Sequence, residues 1–275
     1  MTEQERGAST PVVAVLGGGV MGEALVSALL MGGWPTDRVE VTEQSAARAD
    51  ELAQRHGIRT GATNAEAAAR ADVVLLAVKP HVVPAVLTEI ADHLPARTLV
   101  VSVAAGVPIA TYEQHLPAGT PVVRVMPNTP AVVGKGASAI APGAHAGEEH
   151  LALVERVLAA TGLVVRVGEK DLDAVTAISG SGPAYAFYLI DAMAEAGVLL
   201  GLTRDLATRL AVATVEGAGA LAAQGEHPAV LRERVSSPGG TTVAAVAQLD
   251  AHAVRAGVVA AARAAYDRSR ELGRS

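Results

Sequence analysis

VVAVLGGGVMGEAL, residues Val12–Leu25, is the stretch on which the fold turns. Five apolar residues run unbroken into Gly17-Gly18-Gly19-Val20-Met21-Gly22, and an Ala/Leu-rich segment follows. An uninterrupted apolar run reads as a strand covered on both faces, and the Gly cluster as the turn that delivers the chain into a helix. The glycines at 17, 19 and 22 fit G-x-G-x-x-G. In that reading Gly17 permits the tight turn, Gly19 lets the backbone approach a pyrophosphate, and Gly22 lets helix and strand pack closely. The helix start at Val20 and Met21 then offers free amides and a positive dipole end to the anion. The plainer reading is an ordinary Gly-rich turn. Against it stand the preceding strand, the following helix, and an acid, Glu43, 21 residues beyond Gly22.

Working outward, short apolar runs recur at Val39–Thr42, Val73–Val78, Leu99–Val103 and Val122–Val125, separated by helix-like segments. That rhythm predicts parallel βαβ units, hence an α/β fold with an N-terminal Rossmann-like, doubly wound parallel sheet. After Lys170 the strand-like runs stop. Long Ala/Leu/Val segments at Asp171–Leu200, Thr203–Ala223 and Asp250–Leu272 carry helical spacing, with Thr203 and Asp250 expected as helix-starting caps. The expected organisation is a flexible tail at 1–10, a dinucleotide-binding domain at 11–168 and an all-helical domain at 169–275. Helices this apolar on several faces point to burial against a second subunit.

Composition excludes several classes of function. Half of the 275 residues are hydrophobic but only 2% are aromatic, so the core relies on close Ala and Val contacts rather than large rings. A net charge of −6, with the basic residues scattered, leaves no basic face for nucleic acid. The absence of Cys removes disulfides, thiolate metal sites and cysteine nucleophiles. The opening MTEQERGAST lacks the basic and then apolar order of a signal peptide, and the uncharged Ala174–Ile190 is interrupted by Gly and Pro. These features predict a soluble, cytoplasmic chain with no membrane partner. None of the eight His, among them His81, His93 and His252, has a paired metal spacing, and no metal is expected.

Two residues near the second strand pull in different directions. Glu43 is placed to accept from both ribose hydroxyls of an adenosine and to repel a 2′-phosphate, whereas Arg48, five residues on, can offer that phosphate a guanidinium. Either residue can equally be solvated surface charge. NADH and NADPH both remain open at this level.

Specific motifs follow. Ala77-Val78-Lys79-Pro80, Ser102-Val103-Ala104-Ala105-Gly106-Val107, Arg124-Val125-Met126-Pro127-Asn128-Thr129-Pro130, Ser179-Gly180-Ser181-Gly182-Pro183-Ala184-Tyr185 and Val235-Ser236-Ser237-Pro238-Gly239-Gly240-Thr241-Thr242 occur in that order. Together they resemble the pyrroline-5-carboxylate reductases, from about Val12 to the last helix. The resemblance implies reduction of 1-pyrroline-5-carboxylate to proline by hydride from NADPH or NADH. It also implies a cofactor set of Asn64, Ala77, Val78, Lys79, Pro80, Ala104, Ala105, Gly106 and Asn128, beside the glycine loop with Glu43 and Arg48. It further implies dimers through the helical domain, with helices of both chains completing each active site.

The turn Val235–Thr242 has two readings of its own. Pro and Gly can set a bend that Ser or Thr caps, or the exposed amides and the hydroxyls of Ser237, Thr241 and Thr242 can form a pocket for a small carboxylate. The resemblance favours the second, with Val235, Ser237, Gly240, Thr241 and Thr242 around the substrate and the Thr242 hydroxyl directed at the imine nitrogen. By this reading Gly180, Gly182 and Pro183 shape a helix start rather than perform chemistry. A β-hydroxyacid dehydrogenase shares the two-domain plan but uses a lysine four residues after the position of Gly182, which here is Ala186, and the chain has only three lysines, Lys79, Lys135 and Lys170. The third possibility is a non-catalytic nucleotide-binding protein, which has no use for an intact hydroxyl-rich turn.

Overall fold

The computed structural model describes residues 10–273, so the tail expected at 1–10 lies outside the described residues except for Thr10. The strands are β1 (Val13–Leu16), β2 (Val39–Thr42), β3 (Arg59–Thr60), β4 (Val73–Leu76), β5 (Leu99–Ser102), β6 (Val122–Met126), β7 (Gly136–Pro142) and β8 (Gly162–Arg166). They form one sheet in the order β3-β2-β1-β4-β5-β6-β7-β8. The reversal of strand order at β1 is the doubly wound topology expected from the glycine loop.

The unbroken apolar runs are explained by the two faces of this sheet. Val13 and Val15 of β1 point into one core with Val73 and Leu75 of β4, whereas Ala14 and Leu16 point into the other with Val74 and Leu76. The first face is covered by α1 (Val20–Met31), α2 (Ala46–His56) and α6 (Glu148–Leu158), which contribute Leu25, Leu29, Leu52, Val154 and Leu158. The second is covered by α3 (Asn64–Ala68), α4 (Val83–Ile90) and α5 (Ile109–His115), through Ala67, Leu87, Ile90 and Tyr112. Each fully buried Leu or Ile contributes about 1.5–3 kcal/mol relative to exposure.

β7 departs from the expected parallel pattern. It pairs antiparallel with β6, Val125 opposite Ile140 and Met126 opposite Ala139. Residues 127–135 are too few for a crossover helix, which needs about a dozen residues, so the chain turns through a short helical turn at Thr129–Val133 and runs back. β7 reads Gly-Ala-Ser-Ala-Ile-Ala-Pro, and small residues of low strand propensity conceal it in the sequence.

Within the described residues, 10–180 and 268–273 form one compact unit and Ser181–Asp267 a second. The segment Asp171–Leu200, which carries helical spacing, is divided: α7 (Leu172–Val175) passes into a π-helical turn at Thr176–Gly180, and α8 (Gly182–Leu199) starts afresh with Pro183 in its first turn, the helix start expected at Gly180, Gly182 and Pro183. The remaining helices are α9 (Arg204–Ala222), α10 (Pro228–Arg234), α11 (Thr241–Ala251) and α12 (Val254–Leu272). Thr203 caps α9 as expected, its side chain accepting from Leu206 N–H at 3.3 Å. Asp250 does not start a helix. It lies inside α11, its carbonyl accepts from Ala253 N–H, and the chain breaks at Ala253 in the left-handed region (φ 52°) before α12 sets off at 52° to α11. Among the described residues no single helix is long and apolar enough to cross a membrane.

Candidate active site

The glycine loop joins β1 to α1, and its backbone geometry follows from what a Cβ would strike at each position. Gly17 has φ +107°, and a Cβ there would meet the Ala77 carbonyl oxygen at 2.8 Å. At Gly22 a Cβ would fall 1.9 Å from the Gly17 carbonyl oxygen, so helix and loop touch only because the side chain is missing. Gly19 is the opposite case, with nothing within 4 Å of a Cβ. Gly19 is also the N-cap of α1 and brings no side-chain hydrogen bond, which leaves the first amides of the helix facing open space. Gly17 N–H donates to the Thr42 carbonyl at 3.1 Å and clamps the loop to the end of β2.

A cavity of about 670 Å³ opens over this loop. Of the expected cofactor residues, Gly17, Gly19, Glu43, Asn64, Ala77, Val78 and Lys79 line it. Val20, Met21 and Gly22 form the first turn of α1, directly after the Gly19 N-cap, and Pro80 opens a short helical turn after Lys79. Ala104 is buried beyond β5, where its N–H donates to Ser102 Oγ, and Gly106 follows with φ +76°. Asn128 is tied at both ends to backbone: it donates to the Ser179 carbonyl at 3.0 Å and accepts from Ala137 N–H at 2.8 Å. Arg124 of the same motif is buried and pairs with Glu169 at 3.2 Å, a structural bond inside the first unit.

The cavity also has walls that sequence reasoning missed. Thr42 donates to Asn64 Oδ1 at 2.6 Å and Glu89 accepts from Asn64 Nδ2 at 2.8 Å, so Asn64 is oriented by two neighbours that also line the cavity. Thr42 was detectable as the last residue of a strand beside a glycine loop. Glu89 was not, because it reaches the site only through the fold of α4 against α3. A wide space, uncapped helix amides and a carboxylate at the end of β2 fit a dinucleotide.

Arg48 belongs to an ion-pair cluster on the rim. It bonds Glu23 at 2.5 Å, Glu51 at 2.7 Å and, through Nε, the Gly18 carbonyl at 3.0 Å. Arg55 and His56 also reach Glu23, at 2.6 and 3.0 Å. Burial pushes the Glu23 carboxyl up, and donation from Arg48, His56 and Arg55 more than offsets it, leaving the group at about 2. Bonds to Glu51 and Glu23 raise Arg48 further above its usual range.

In the second unit, the turn before α11 holds the expected substrate residues. Gly239 takes φ +70°, Gly240 N–H closes the turn on the Ser237 carbonyl at 2.9 Å, and Gly240 is the N-cap with no side-chain cap bond. The reading of this turn as a Ser or Thr cap is therefore not what forms. The hydroxyls of Ser237, Thr241 and Thr242 make no hydrogen bond among the described residues, and Val235 is 63% exposed. α8 and α9 pack through Ala194, Ala207 and Ala211, with a Cβ at Gly197 only 2.7 Å from that of Ala207, so the core of this unit is thin. Phe187, Tyr188, Leu199 and Leu200 stay exposed.

Residues 169–272 match the family model described as pyrroline-5-carboxylate reductase dimerisation, and residues 12–106 that described as NADP oxidoreductase, coenzyme F420-dependent. A curated relative, the pyrroline-5-carboxylate reductase of Corynebacterium melassecola, is 48% identical over 95% of this chain and 98% of its own. A solved pyrroline-5-carboxylate reductase from Coxiella burnetii is 36% identical with a TM-score of 0.92, over 97% of this chain and all of that one. Pyrroline carboxylate reductase of Plasmodium falciparum, solved with NADP bound, is 28% identical with a TM-score of 0.86 over the same shares.

Proposed function

The chain belongs to the pyrroline-5-carboxylate reductase family, and from that premise we infer that it reduces 1-pyrroline-5-carboxylate to proline, the last step of proline formation, using NADPH or NADH. The observation that carries the reading is the likeness end to end, which includes both the glycine loop and the hydroxyl-rich turn. A relative in the nucleotide half alone would not define the substrate.

When bound, the reduced nicotinamide supplies a hydride to the imine carbon. The chain's own residues bind and orient. Uncapped amides at the start of α1 hold the pyrophosphate, and Glu43 and Asn64 face the ribose side of the cavity. In the second unit the amides opening α11, with Ser237, Gly240 and Thr241 beside Val235, hold the substrate carboxylate. Thr242 directs its hydroxyl at the ring nitrogen. A Thr hydroxyl is too weak an acid to protonate an imine, so its share is orientation, and an imine that arrives protonated already accepts hydride readily. Ala186 in α8 offers no base for alcohol oxidation, which disfavours a β-hydroxyacid dehydrogenase.

Assembly through the helical unit into a homodimer, or a larger assembly built from dimers, completes the reading. Its support is the thin Ala core and the exposed Phe187, Tyr188, Leu199 and Leu200. A cytoplasmic setting accompanies it. The test follows oxidation of NADH and NADPH separately with racemic pyrroline-5-carboxylate, in the wild type and in Thr242→Ala. Turnover should fall in the variant while nucleotide binding holds. Silence of the wild type with both cofactors defeats the activity, and undiminished turnover in Thr242→Ala defeats the role given to that residue.

A further inference from the structure

The cavity wall at the end of β2 bears on which nicotinamide nucleotide this chain takes. Glu43 lies in that wall, one carboxylate oxygen accepting from Gly18 N–H at 3.0 Å and the other from Ser45 N–H at 3.1 Å. Rotating the side chain away would leave both amides unmet. A carboxylate has about four acceptor positions, so each oxygen keeps one for a ligand. Two vicinal ribose hydroxyls satisfy those positions, whereas a 2′-phosphate, carrying nearly two negative charges, meets a fixed anion.

The cation that would compensate is already committed. All three nitrogens of Arg48 are engaged, two by the carboxylates of Glu23 and Glu51 and the third by the Gly18 carbonyl, and Arg48 does not line the cavity. Arg55 is likewise bound to Glu23 and Glu51. Lys79 and His81 do line the cavity, but they follow β4, which is separated from β2 by β1, roughly 10 Å across the sheet. The neighbour of Glu43 on the wall, Gln44, is neutral.

We infer that this chain selects NADH over NADPH, with Glu43 as the specificity-determining residue. The inference rests on the nucleotide-binding part of the proposed function. Titration of the purified full-length protein with NADH and NADPH, followed by nucleotide fluorescence, and with NAD⁺ and NADP⁺ by calorimetry, reads it directly as binding. NADH should bind about tenfold or more tighter than NADPH at low salt. Added salt screens the repulsion, so the NADPH-to-NADH ratio of dissociation constants should shrink. Glu43→Gln, which keeps size and removes charge, should shrink it as well, mainly by tightening NADPH. The salt series needs no variant and decides the matter even if Glu43→Gln does not fold. Equal or tighter NADPH binding by the wild type, or a ratio that salt enlarges, overturns the inference while leaving the reductase intact. Binding of neither nucleotide overturns the inference and the nucleotide-binding reading together.

Discussion

Replacing Gly22 and Gly19 separately by Ala should split the two tasks of the glycine loop. At Gly22 the new Cβ would lie 1.9 Å from the Gly17 carbonyl oxygen, where ordinary contact begins at 3.4 Å, an overlap of about 1.5 Å with backbone that has no rotamer to yield. Either α1 or the loop must move. Forced overpacking of this kind costs about 1–3 kcal/mol, which for a chain of this size corresponds to a melting point lower by roughly 2–12 °C. Moving the Gly17 carbonyl also moves the loop amides, so nucleotide affinity should fall with stability. At Gly19 the backbone has φ −68° and a Cβ meets nothing within 4 Å, so Ala costs at most about 1 kcal/mol as a poorer N-cap than Gly. Its methyl would nonetheless occupy the space assigned to the pyrophosphate, and NADH affinity should drop tenfold or more with the melting point nearly unchanged. Differential scanning calorimetry and fluorescence titration on both variants provide the comparison. A Gly19→Ala protein that binds NADH like the wild type would refute the placing of the pyrophosphate over Gly19. A Gly22→Ala protein that melts like the wild type would refute the close-approach argument.

Two further outcomes follow from the side-chain bonds. Asn128→Ala deprives the Ser179 carbonyl and the Ala137 N–H of their partners, and should lower stability by about 1–3 kcal/mol in a urea titration; an unchanged midpoint would mean both bonds are expendable. Glu23 is held near 2 in the folded chain against 4.5 as its ordinary value, so its stabilising contribution is present in full above pH 4.5 and is lost as pH falls toward 2. After solvent screening this is on the order of 1–2 kcal/mol. The stability difference between wild type and Glu23→Gln should therefore narrow over that window, and a difference constant from pH 6 to 2 would contradict the ion-pair account.

Much of the nucleotide unit was legible from local pattern. The runs Val39–Thr42 and Val122–Val125 appear as strands nearly residue for residue, since a strand buried on both faces must be apolar throughout. The motif Arg124–Pro130 shows the limit of such reading. Its residues were legible as a family signature, yet Arg124 serves a buried ion pair with Glu169 and Asn128 ties β7 to the π-helical turn, roles set by partners 45 and 51 residues away. Asp250 failed as a cap for a related reason. An acid before a helical pattern is a start signal only if the preceding helix has ended, and α11 continues through it.

The sequence by itself determined what depends on near neighbours along the chain: the alternation of strand and helix, the glycine loop, the change of character after Lys170 and the Ser237–Thr242 turn. Tertiary structure alone decided the antiparallel return of β7, the break at Ala253, and the fate of the two residues that sequence left in balance. Glu43 and Arg48 are five apart and equally available on paper. Folding brings Glu23 from α1 to within 2.5 Å of Arg48 and the Gly18 amide to within 3.0 Å of Glu43. Which charge faces the cavity depends on partners 25 residues away in the chain, at a distance where spacing carries no information and only packing does.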